Sequence, residues 1–151
     1  MIKAKVKHTF QTALQFDVET GSGHHFLVDD AVGNTAPKPI ELVAAALAGC
    51  TAFDVITILR NKKHKTVNGY EVTVEAEQRP TPPQVFTQVR VHHAISGTDI
   101  DDQSVQDAIQ LSESKYCSVE AMLRHSGAEV TTTYGINPSQ MENAQEIVSA
   151  A

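Results

Sequence analysis

Two thiols are the residues of this chain best suited to chemistry. Cys50 stands inside the apolar run LVAAALAGCTAFDVITIL at 42–59, with the carboxylate of Asp54 one helical turn beyond it. Cys117 follows Lys115 and Tyr116 in SKYCSVEAMLRHSG. The thiolate, not the thiol, is the nucleophile, so a reactive cysteine needs a neighbourhood that favours negative charge. By local sequence Cys50 lacks one. It lies beyond the first helical turn, where the dipole helps. Its neighbours three and four positions away are Ala46, Leu47, Phe53 and Asp54, three apolar and one acidic, and both kinds disfavour charge on sulfur. Cys117 is better placed, at the start of a predicted helix with Lys115 two residues before it. Free cysteines are also among the most buried residues and often only pack. Structural thiols and redox chemistry both remain open at this level.

Other polar residues point to less. His24–His25 and His92–His93 fall in predicted strands, where adjacent side chains face opposite ways, so neither pair chelates as such. No Cys-x-x-Cys or His-x-x-x-His lies near them, and no metal or cofactor site is expected. Asp54 reads either as a buried partner for a cation or as a solvated helix residue. Tyr116 and Phe53 read as pocket or core walls.

The elements that must position the thiols follow from periodicity and turn chemistry. KAKVKHTF (3–10), ALQFDVET (13–20) and HHFLVDD (24–30) read as strands of a meander, with Gly21-Ser22-Gly23 as a turn. Pro39 suits the first turn of a helix running to about Lys63, where RNKKHK complements the dipole. That helix is apolar nearly all round, which predicts burial on most sides. YEVTVEAEQR (70–79) and VFTQVRVHHAIS (85–96) form a hairpin around Thr81-Pro82-Pro83-Gln84. A helix over DDQSVQDAIQLSES, a short helix capped by Cys117 or Ser118 and ended by Gly127, and a strand AEVTTTYGI (128–136) complete the order. Strands, a long helix, a hairpin, two helices and a last strand make an α+β pattern in one domain, 1–137, with 138–151 as a C-terminal tail.

At 151 residues the chain can bury a core without staples. A net charge of −6 with scattered basic residues argues against nucleic acid. The Thr, Asp and Gly content of 42–59 favours a core helix over a membrane span, and MIKAKVKHTF lacks a signal region. A cytoplasmic location with reduced thiols is the expectation.

The pattern P-x-E-L-x-x-A-A-L-x-G-C at 39–50, taken with K-Y-C-S-V at 115–119, resembles the OsmC/Ohr family, and the resemblance extends over essentially the whole chain. It implies an α+β OsmC-like fold that forms an intertwined homodimer with the long helices at its centre. It also implies a thiol-dependent reductase of organic hydroperoxides in the oxidative or osmotic stress response. On this resemblance Cys50 takes the place of the peroxidatic cysteine and Cys117 that of its resolving partner. An external dithiol restores the enzyme, with no cofactor. The peroxidase members activate the first cysteine with an arginine from the N-terminal half, held by a glutamate near the helix start. Here the first arginine is Arg60, about 15 Å along a helix from Cys50. Lys3, Lys5, Lys7 and Lys38 offer only point charges in its place. Ile40 occupies the glutamate position, and Glu41, the candidate supporting residue, lies one place nearer the cysteine, on the opposite side of the helix. Glu41 also reads as a first-turn acid complementing the dipole. The chain is most similar to a subgroup with a Pro-x-Glu-Leu helix start and no N-terminal arginine. The alternative implied is an OsmC-fold protein that binds a small apolar ligand with little peroxidase activity.

Overall fold

The computed structural model describes residues 1–137, so the expected tail at 138–151 lies outside the described residues. The chain divides into two compact units, Met1–Val43 and Ala44 onward.

In the first unit, β1 (Ala4–His8), β2 (Phe16–Thr20) and β3 (His25–Val28) form the expected antiparallel meander in the order β1-β2-β3. Val6 pairs with Val18 and Val18 with Phe26. Gly23 carries the turn into β3 at φ 83°, a backbone region glycine enters without steric cost. β3 ends earlier than alternation predicts because Asp29 turns inward to organise the following loop. Its buried carboxylate accepts from Thr12 Oγ1 (2.9 Å), Thr35 Oγ1 (2.6 Å) and the backbone N–H of Asp30 (2.9 Å) and Thr35 (3.2 Å). The Thr35 hydroxyl is the main cause holding this carboxyl below its ordinary range.

α1 (Pro39–Thr57) begins on the proline, as its fixed φ favours, and continues as a π-helical turn over Ile58–Lys62. The boundary between the two units falls within its opening turns. Its buried side chains are Leu47, Thr51 and Val55, a single stripe at a spacing of four. Ala45, Ala46 and Phe53 are exposed, Phe53 at 77%. Burial on most sides is therefore not achieved within one chain.

The second unit carries a sheet of order β4-β5-β6. β4 (Gly69–Gln78) and β5 (Phe86–Ser96) form the expected hairpin, and β6 (Glu129–Ile136) lies parallel to β5. A parallel neighbour needs a crossover. Here it holds α2 (Asp102–Leu111), a π-helical turn over Ser112–Tyr116, and α3 (Ser118–His125). Asp101 caps α2 through the N–H of Ser104 at 2.9 Å and pairs with Lys65 at 2.6 Å. Gly127 closes α3 at φ 93°. Val55, Ile58 and Leu59 of the long helix pack with Val67, Ile95, Val105, Ala108 and Ile109 in one core. Strand alternation buries Val89, Val91, His93 and Ile95 on one face of β5 and leaves Arg90 and His92 exposed. The architecture is α+β.

Candidate thiol site

The second unit brings the two cysteines together. Cys50 Sγ, Cys117 Sγ and a carboxylate oxygen of Asp54 lie within 4.8 Å of one another. α1 supplies two of the three, because positions four apart share a helix face. Cys117 arrives by a different device. The widened π turn ends on it, its backbone N–H donates to Ser112 O at 2.8 Å, and it becomes the residue that starts α3. π-helical turns concentrate at functional sites, where they shift a side chain out of ordinary helical register.

Ser112 is the residue sequence reading missed. Its hydroxyl donates to Asp54 Oδ2 at 3.0 Å and lies 3.3 Å from Thr51 Oγ1, with Ser112 itself fully buried. Among the described residues Asp54 has no ion-pair partner; a buried hydroxyl holds it beside the thiols. Nothing in the local sequence of Ser112 marks it, since its partners stand on a helix far away in the chain.

The electrostatics of Cys117 reverse the sequence expectation. The helix start and Lys115 predict a thiolate, but Cys117 is only 2% exposed. Burial pushes its thiol up to about 12; the Glu120 amide opposes this, and the Cys50 sulfur and Glu120 charge add to it. Glu120, itself buried, is raised by burial and is held by Arg124 at 2.7 Å. Cys50 is partly exposed. The four arginines of the chain are engaged elsewhere: Arg60 with Val67 O (3.3 Å), Arg79 with loop carbonyls, Arg90 with Glu75 and Glu77, and Arg124 with Glu120. Glu41 caps the start of α1. It accepts from the Lys38 N–H at 2.8 Å and pairs with Lys38 Nζ at 3.2 Å, contacts that hold its carboxyl low.

A cleft of about 330 Å³ borders the site, lined by Phe53, Asp54, Thr57, Ile58, Lys62 and Tyr116. Lys62 Nζ donates to Tyr116 Oη at 3.0 Å, and this bond, with the charges of Lys115 and Lys62, lowers the phenol's pKa. Beneath the sheet face, Tyr70 Oη and His93 Nδ1 share a 2.8 Å hydrogen bond. Burial, then the charge of Asp54, raises Tyr70; burial, then His92, lowers His93 to about 4. His93 Nε2 has no partner among the described residues.

This fold and thiol pair define a class. A sequence model of the family described as OsmC-like protein matches residues 32–133, and the chain belongs to that family. It is 37% identical over 135 residues to Protein YhfA of Escherichia coli K12, a match covering 89% of this chain and 98% of YhfA. A hypothetical protein from Aquifex aeolicus VF5 superposes with a TM-score of 0.80 at 20% identity over 91% of this chain and 96% of the other. An organic hydroperoxide resistance protein from Elizabethkingia anophelis does so with a TM-score of 0.67 at 21% identity over the same shares. These last two likenesses are of fold.

Proposed function

We propose that this chain is a cytoplasmic, thiol-dependent reductase of organic hydroperoxides that works as a homodimer. The observation that carries the reading is the approach of Cys50 and Cys117 to within 4.8 Å in a fold shared with an organic hydroperoxide resistance protein. Cys50, the more exposed thiol, attacks the terminal peroxide oxygen as its thiolate. The O–O bond breaks, the alkoxide leaves and takes a proton to become the alcohol, and Cys50 becomes a sulfenic acid. Cys117 sulfur then attacks the Cys50 sulfur. Hydroxide leaves, takes the Cys117 proton and departs as water, and a disulfide forms. An external dithiol returns both thiols by exchange. Sequential use suits the unequal burial: the attacking sulfur meets substrate, and the resolving sulfur stays protonated until it is needed. The cleft at Phe53 and Tyr116 suits an apolar substrate body. The uncovered apolar faces of α1 suit a partner's helix.

The test is a thiol count after one equivalent of cumene hydroperoxide per reduced chain. Loss of both thiols in wild type is expected, with the one remaining thiol, Cys117, retained in Cys50→Ser. Survival of both thiols in wild type sinks the proposal. A second reading is supported by the engagement of all four arginines away from Cys50 within the chain: a ligand-binding protein with slow thiol chemistry. It predicts the same fold and dimer but oxidation no faster than that of free cysteine.

A further inference from the structure

We infer that Cys50, Asp54 and Cys117 form a three-ligand site for a divalent ion of the zinc class. Each contributes one ligand atom, and the three lie within 4.8 Å of one another. A tetrahedral zinc with bonds of about 2.3 Å to sulfur holds two sulfurs about 3.8 Å apart, a spacing inside the 4.8 Å within which the three ligand atoms lie. The arrangement has the parts of a built site. Cys50 and Asp54 project from one face of α1, and the π turn delivers Cys117 against them. Ser112 donates to Asp54 Oδ2 at 3.0 Å, which fixes the carboxylate and leaves Oδ1 for the ion. Thr51 lies 3.3 Å behind Ser112. Outer-shell hydrogen bonds of this kind orient a ligating carboxylate. Two thiolates select a soft or borderline ion over magnesium or calcium. The cleft lined by Asp54, Phe53 and Tyr116 reaches the carboxylate side of the site.

Thiol oxidation by peroxide uses two sulfurs and makes no demand on Asp54 or Ser112; an ion does. The site goes beyond the peroxidase reading and stands without it, although an ion on both sulfurs and a peroxide at Cys50 exclude one another.

Cobalt(II) tests the site by optical absorption. Reduced, chelator-treated protein is titrated without oxygen, and the sulfur-to-cobalt band and the visible tetrahedral bands are read. One equivalent per chain is expected. Cys50→Ser or Cys117→Ser should weaken or remove the charge-transfer band. Asp54→Asn should lower affinity at least ten-fold, and Ser112→Ala, which keeps every ligand, about ten-fold. Circular dichroism checks that each variant is folded. Absence of the charge-transfer band in wild type at excess cobalt overturns the site. So does Asp54→Asn or Ser112→Ala binding as tightly as wild type, which leaves only the two thiols as ligands. Peroxide consumption measured separately, in chelator, keeps failure of this site distinct from failure of the peroxidase reading.

Discussion

In the proposed reaction the two thiols divide their labour by exposure. Cys50 is reachable and Cys117 is 2% exposed, so loss of either sulfur should leave a different product. Cys117→Ser should stop at a Cys50 sulfenic acid that dimedone traps, and Cys50→Ser should leave Cys117 unmodified; a mass spectrum of each after peroxide checks both. His93 sets a pH dependence. Its folded pKa, about 4, lies below the ordinary value of 6.5 because of burial. The unfolded chain therefore binds that proton more readily, and stability present above pH 6.5 is lost as pH falls toward 4. The loss is on the order of 3 kcal/mol, read as a falling urea midpoint, and His93→Gln should flatten that part of the curve. These residues were unequally legible. Cys50, Cys117 and Asp54 announce themselves by type, and β5 alternation places His93 with Val91 and Ile95. Ser112 does not, because a lone serine in a helical pattern carries no local sign of a distant carboxylate. Cys117 misled, since sequence shows Lys115 beside it but not the burial that outweighs the cation.

Among the elements, the long helix anchors the second unit through the residues nearest its end. Leu59 is fully buried in the core with Val55, Ile95 and Val105. Leu59→Ala should cost about 2–5 kcal/mol, measured by urea denaturation, with the lost contacts and the cavity both contributing. The start of α2 depends on Asp101, whose carboxyl is held low first by Lys65 and then by the Ser104 N–H. That contribution is present above the ordinary carboxylate range and disappears in acid. The hairpin, the meander, the Pro39 helix start and the Gly127 stop were legible because alternation and turn chemistry act locally. The two π-helical turns were not, because a widened turn follows from tertiary demands on the residues after it. In the second of them the demand is to set Cys117 against α1.

At the scale of the molecule, one observation asks for a partner. α1 with its π turn spans Pro39–Lys62, apolar enough by length and composition to cross a membrane, yet only a stripe of α1 is buried within the chain. The proposed homodimer would cover these faces by pairing two copies. Sedimentation should show a dimer in plain buffer, and Phe53→Glu, which puts a charge on a side chain 77% exposed in one chain, should shift it toward monomer. Requirement of detergent to keep the wild type dispersed would point to lipid instead. The most direct test of the thiol chemistry is the intact mass and peptide map of reduced wild type after one equivalent of cumene hydroperoxide. A loss of two hydrogens per chain with a Cys50–Cys117 linked peptide is the predicted result. An unchanged mass with both thiols free would contradict it.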